Sequence, residues 1–171
     1  MCIKAPLLIR PEQAADRAQV RVVNEAAFGR SDEADLIDRL RVEGAVLLSL
    51  VAEIDSRIVG HILFSQMTVD TTEGPLAAVS LAPMAVLPDH QGRQIGSQLV
   101  RRGLAVLQAA GERIVIVLGH KEYYPRFGFS VEKARYLASP FPAEAFMAME
   151  LADEALAGVR GSVRYASAFG L

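Results

Sequence analysis

The consecutive residues Gln91, Gly92, Arg93, Gln94, Ile95, Gly96 and Ser97 carry the strongest chemical signal in the chain. They follow a long apolar stretch at 76–87 and open a segment with helical periodicity. A loop running from a buried strand into a helix N-terminus is a ready anion site. The first amides of the helix have no internal partner, and the helix dipole favours negative charge there. Gly92 and Gly96 allow a ligand close to the backbone, and Arg93 adds a guanidinium able to bond phosphate in a forked geometry. The loop therefore suits a phosphate or pyrophosphate. The alternative is an ordinary tight turn between strand and helix. No Gly-Lys-Ser/Thr follows, so it is not a nucleotide P-loop, and it lacks the Gly-x-Gly-x-x-Gly dinucleotide fingerprint.

Acid–base groups are fewer. His120 follows a short apolar strand, at the sheet end where α/β proteins bind ligands, or is a loop histidine fixed by backbone hydrogen bonds. His61 lies inside a strand and reads equally as a buried, satisfied histidine. Glu33 and Asp35 either line a pocket or simply begin a helix whose dipole favours acids. Ser80, in the apolar strand, is equally ambiguous. His61, His90 and His120 have no ligand spacing, so no metal is expected. Cys2, near a chain terminus, is a poor candidate for a nucleophile.

The elements that must position these groups follow from pattern. A strand is expected at 7–10, ended by Pro11. Residues 14–28 read as a helix, with Ala18, Val22 and Ala26 four apart and Gly29 as the stop. Ser31 or Asp32 caps a second helix reaching Leu40 or Val42. Strands at 48–54 and 57–69 flank an Asp55-Ser56 turn. The strand at 76–87 is apolar enough to be buried on both faces, and Pro83 inside it marks an edge, a bulge or a splay. In the helix after the loop, Ile95, Leu99, Val106, Leu107 and Ala110 share a face, and Gly111 ends it. A right-handed backbone is expected for Gln94 at its start. A strand at 114–118 completes a βαβ unit, so it should run parallel to the strand at 76–87. A short helix at 121–126 and a late strand at 146–151 follow. The last residues to 171 show no readable pattern.

Composition bounds the function. A chain of 171 residues with 51% apolar and 22% charged residues is a folded single domain, taken as 1–171. Its net charge of −2 argues against nucleic acid as a partner. One cysteine excludes an internal disulfide framework. No apolar run approaches a membrane span, and no signal peptide is evident. A cytoplasmic protein with no membrane partner is the expectation.

Residues 81–96, from Leu81 through Pro83, Met84 and Val86 to Gly96, resemble the acetyl-CoA-binding motif of the GCN5-related N-acetyltransferases (GNAT). That motif is Gln/Arg-x-x-Gly-x-Gly/Ala. Gln91 takes its first position and Gly96 its last; Gln94 replaces the usual glycine at the fourth. Tyr124-Pro125-Arg126-Phe127-Gly128-Phe129 resembles the family's Tyr-x-x-x-Gly-Phe signature, and the Leu118-Gly119-His120 segment before it is most similar to the YhbS-like predicted acetyltransferases.

The resemblance covers nearly the whole chain, most firmly 48–130. It implies an α/β (α+β) fold: a mixed, mostly antiparallel sheet flanked by helices, with a central βαβ unit and two parallel strands that splay. It implies acetyl-CoA as acyl donor, with pantetheine lying along Met84, Ala85 and Val86 as an added strand would. The pyrophosphate would sit on the amides of Gly92, Arg93, Gln94, Ile95 and Gly96, with Gln91 and Ser97 flanking. Tyr124 would be the acid for the departing thiolate, with Tyr123 as its neighbour if the register shifts by one. The implied reaction is direct transfer to an amine, whose identity is open, and a homodimer is possible. Two other readings stay open: a CoA-binding sensor without turnover, and a nucleotide-phosphate binder using the same loop.

Overall fold

The computed structural model describes residues 5–171, so Cys2 lies outside the described residues. The elements run β1 (Leu8–Pro11), α1 (Arg17–Phe28), α2 (Asp32–Glu43), β2 (Val46–Ile54), β3 (Arg57–Thr71), β4 (Gly74–Val86), α3 (Ile95–Ala109), β5 (Ile114–Leu118), α4 (Val131–Ala134), β6 (Leu137–Ala138), β7 (Phe146–Glu150) and β8 (Gly161–Tyr165). Short 3-10 turns sit at Ala14–Asp16, Pro88–His90, Tyr124–Phe127, Ala143–Ala145 and Ser167–Phe169.

The sheet follows the order β1-β2-β3-β4-β5-β7. Every neighbour pair on that path is antiparallel except β4 and β5, which run parallel around α3. The βαβ unit is thus where the sequence places it. β3 is long enough to hold two partners on one side: β2 pairs with its first part, and β8 pairs with Met67–Asp70. β6 adds to β8 in parallel.

Local differences from the sequence reading have identifiable causes. The expected helix at 14–28 begins with a separate 3-10 turn, because the Asp16 carboxylate accepts from the Gln13 amide at 2.7 Å and bonds Arg10 at 2.7 and 3.0 Å. The Arg10 guanidinium holds that carboxyl below its usual range. Ser31 is the cap residue of α2, but its hydroxyl bonds Asp35 at 3.1 Å instead of a backbone amide. The Asp55-Ser56 turn has φ of +49° and +61°, the left-handed pair of a tight two-residue hairpin. On α3 the buried face runs through Ile95, Leu99, Val100, Leu104 and Leu107. Ala110 is exposed, because it lies past the last helical residue.

A polar chain runs through this core. His61 is fully buried on β3. The Asn24 side-chain amide donates to Val20 O at 2.9 Å and to His61 Nδ1 at 3.2 Å. His61 Nε2–H therefore donates to Ser49 Oγ, 2.9 Å away, and Ser49 in turn donates to Glu12, whose carboxylate also takes Arg41. The chain ties α1, α2, β2 and β3 together. Burial and the nearby Arg41 push His61 down to about 3.

A depressed histidine stabilises the fold in full above its unfolded value of 6.5 and loses that contribution as pH falls toward 3. The slope is ~1.4 kcal/mol per pH unit inside that window. Urea unfolding from pH 7 to 4 should show this loss, and His61→Gln should flatten it. An equal slope in that variant would place the acid sensitivity elsewhere.

Candidate active site

The site forms where β4 and β5 part. They pair only over Val79–Leu81 and Val115–Val117. Past that point β5 continues with β7, and β4 continues to Val86 with β3. The break coincides with a register shift: Ile62 faces Met84 while Phe64 faces Leu81, leaving Ala82 and Pro83 as the bulged residues of β4. A proline has no amide for the ladder, and a bulge bends the strand that carries it.

The free edge beyond the bulge has defined polarity. The Leu87 amide donates to Val59 O at 2.9 Å, so Leu87 turns toward β3. Antiparallel pairing alternates, so Ala85 also turns toward β3, while Met84 and Val86 present N–H and C=O to the open side. The Gln91 side chain donates to Val86 O at 3.0 Å and anchors the following loop to that edge.

The loop is built as an anion cradle. Gly92 has φ +75° and Gln94 has φ +61° with ψ +17°, both left-handed, with Arg93 between them. Such alternation turns successive amides toward one concave surface. Among the described residues, the amides of Gly92, Arg93, Gln94, Ile95, Gly96 and Ser97 donate to no protein acceptor; the first helical bond of α3 is Gln98 N to Gln94 O at 3.0 Å. No acidic side chain occupies the first turn and no side chain caps it.

The right-handed backbone expected for Gln94 is corrected here. The residue precedes the helix and reverses the chain into it, which is the conformation the usual glycine would adopt freely. A non-glycine residue there costs roughly 1–2 kcal/mol. Gln94→Gly should raise the melting temperature, by less than that cost because glycine also gains unfolded-state entropy, and Gln94→Val should lower it. Thermal scans of the three proteins check the order glycine, glutamine, valine.

The cradle opens into a cleft of about 900 Å³. Gly60 faces Ile95 and Leu99 of α3, and the next residue, His61, faces Asn24 of α1. Successive strand residues point to opposite faces. The cleft is lined by Gly96 and Ser97 from α3 and by Ala27 and Phe28 from α1, so it passes through the sheet at the splay.

The structure brings most of the expected site residues together. Met84, Ala85, Val86, Gln91, Gly92, Gln94, Ile95, Gly96, Ser97 and Tyr124 all line the cleft, as do Glu33, Ser80 and His120. Arg93 does not: its exposed side chain stays off the wall, and Arg126 supplies a guanidinium there instead. Arg126 lies over the Tyr123 ring at 4.6 Å and donates to Tyr123 O at 2.9 Å.

The two tyrosines have different settings. Tyr123 Oη is 3.1 Å from Ser97 Oγ, beside the cradle. Tyr124 is 8% exposed, with its ring against Phe129 and over Gly119, where a Cβ would clash with it. Burial pushes the Tyr124 phenol up to about 12, so it holds its proton as a donor at neutral pH. Glu33 is held below its usual range by its hydrogen bond from Arg30 and stays ionised.

Sequence reasoning did not find the aromatic residues Phe28, Phe141, Tyr165 and Phe169, which also line the cleft. The last three come from segments after β6, where only their aromatic content offered a signal.

Comparison with known proteins agrees with this geometry. Residues 8–131 match the acetyltransferase (GNAT) domain. The uncharacterized N-acetyltransferase YhbS of Escherichia coli K12 is 36% identical over 162 residues, covering 93% of this chain and 96% of that protein. YjhQ of the same organism, also named as an N-acetyltransferase, is 42% identical over 118 residues, 67% of this chain and 65% of its own length. The crystal structure of E. coli YhbS in complex with CoA superposes with a TM-score of 0.91 at 33% identity, covering 100% of this chain and 96% of that one. A GNAT family acetyltransferase from Brucella melitensis, in complex with acetyl-CoA, superposes with a TM-score of 0.82 at 35% identity, covering 96% and 99%. In sequence, topology and the splayed strand pair that opens onto an uncapped α3, this chain belongs to the GNAT family of acetyltransferases and is YhbS-like within it.

Proposed function

We propose that the protein transfers an acyl group, acetyl foremost, from acyl-CoA to a primary amine by direct attack within a ternary complex. One observation carries this reading: the β4 edge at Met84 and Val86, which no strand pairs among the described residues and whose Val86 carbonyl holds Gln91, leads from the anion cradle to the through-sheet cleft. A donor with a diphosphate at one end and an amide-bearing arm at the other matches that path, and two relatives of this fold hold CoA or acetyl-CoA.

Acetyl-CoA supplies an activated thioester. The amides of Gly92 through Ser97 bind its diphosphate, helped by the α3 dipole. The Met84 and Val86 backbone pairs with the pantetheine arm in the manner of an added strand. A β4 amide at the free edge meets the negative charge that builds on the carbonyl oxygen as the amine attacks. As the carbon–nitrogen bond forms and the carbon–sulfur bond breaks, Tyr124 Oη gives its proton to the sulfur. The amine loses one N–H proton through the cleft mouth, where His120 sits, and a proton from solvent restores the Tyr124 phenol, so one proton leaves nitrogen for each that reaches sulfur.

Release of free thiol from acetyl-CoA in the presence of a panel of primary amines tests the reading. Amine-dependent release with a matching acetylated product supports it. Binding of CoA without release from any amine would make the protein a CoA sensor.

A further inference from the structure

Resting on the acyl-transfer reading, we propose that the acceptor end of the cleft selects a primary amine carried on an aromatic body. Past the splay, the wall is made by Phe28 at the end of α1, Leu36 of α2, Phe141, Tyr165 and Phe169. Phe141 and Tyr165 stand edge to face at 5.7 Å and 89°, and Tyr165 and Phe169 lie 5.1 Å apart, tilted by 53°. These are the separations at which aromatic rings attract one another, and a further ring entering the group gains the same contacts.

The wall is fixed in place. Glu43 of α2 accepts from the Ser167 and Ala168 amides at 2.9 and 2.8 Å, and Arg39 donates to Ala168 O at 3.2 Å. The last turn, with Phe169, is thereby bonded onto the helix that begins beside Glu33. A wall ordered before the ligand arrives spends no binding energy on its own ordering.

Charge points the same way. Among the described residues the acceptor end carries one carboxylate, Glu33, 15% exposed and ion-paired at 2.5 Å to Arg30, which stands out in solvent at 61%. Among the described cleft-lining residues Arg126 is the sole guanidinium or ammonium, and it lies at the cradle end over Tyr123. An approaching ammonium therefore meets ring faces, which attract cations, beside a carboxylate whose charge Arg30 offsets in part. A volume of about 900 Å³ lies near the top of the ~300–1,000 Å³ range of small-molecule sites, room for a pantetheine arm and one compact acceptor.

The test is acetylation by the intact protein of 2-phenylethylamine and 3-phenylpropylamine against ethanolamine, glucosamine and a lysine peptide, with CoA-induced thermal stabilisation followed in parallel. The aromatic amines should exceed ethanolamine in kcat/KM by at least about tenfold, the scale on which an apolar pocket discriminates. Phe169→Ala should lower that ratio about tenfold while retaining the CoA-induced shift. Equal or better turnover of the hydrophilic amines or the peptide overturns this inference and leaves acyl transfer standing. So does a Phe169→Ala variant that changes the preference between acetyl- and butyryl-CoA and not that between amines. Stabilisation by CoA with turnover of no amine overturns both.

Discussion

Gly96→Glu should abolish acetyl-CoA binding in a folded protein. Gly96 lies in the first turn of α3, where an added Cβ would stand 3.2 Å from Tyr123 Oη and 3.4 Å from Met84 Cε. Even a methyl group is crowded there, and a longer side chain must turn toward the open cradle. It brings a negative charge to the place proposed for a diphosphate. Two like charges about 4 Å apart repel by roughly 4 kcal/mol at an effective dielectric of ~20. A loss of at least ~2.8 kcal/mol, or a hundredfold in Kd, is therefore expected. The fold should survive, because glutamate is a better helix former than glycine and suits a helix N-terminus. Calorimetric titration beside circular dichroism checks both points. Full affinity in the folded variant removes this loop from the donor site.

Tyr124→Phe should lower turnover with little change in acetyl-CoA affinity. The ring is held by its aromatic neighbours and by the missing side chain at Gly119, so phenylalanine fills the same space. Only the hydroxyl is lost. A positioned acid contributes ~100–10,000-fold when its acidity is matched to the working pH. Burial pushes this phenol up to about 12, well above neutrality, which makes it a weaker acid. The expected fall in kcat is accordingly about 10–100-fold, at or below the bottom of that range. An unchanged single-turnover rate takes Tyr124 out of the chemistry. Tyr123, whose hydroxyl stands beside Ser97 and the cradle, would then not replace it, since its setting belongs to the diphosphate end.

How much of this was legible in the sequence depended on range. The βαβ unit follows from local pattern, and Pro83 marks an edge, a bulge or a splay, of which the structure has a bulge where β4 and β5 part. Gln94 was visible as a departure from the motif, but not its left-handed backbone, because that is fixed by where the chain must turn into α3. Arg93 and Arg126 are both arginines near the loop. Which of them reaches the wall depends on how the Tyr124–Phe127 turn packs beside α3, and spacing does not encode that. The aromatic wall was not legible. Tyr165 reaches the site because β8 pairs with the far part of β3, almost a hundred positions earlier in the chain, an alignment supported by Arg164 on Asp70 at 2.9 Å. His61 read equally as a functional base or a buried histidine; the structure has it buried, and its partners Asn24 and Ser49, with Glu12 beyond Ser49, come from three separate segments.

The central claim is that the cradle and the β4 edge together recognise a CoA thioester. Thermal unfolding with acetyl-CoA, CoA and ATP, each at about a hundred times its expected Kd, tests it most directly. Binding at that excess adds ~2.7 kcal/mol, a rise of roughly 5–10 °C for a chain of this length. Stabilisation by acetyl-CoA and CoA but not by ATP is the predicted result, because ATP brings phosphates to the cradle but no arm to pair with Met84 and Val86. Stabilisation by ATP equal to that by CoA, or by neither CoA species, would contradict it.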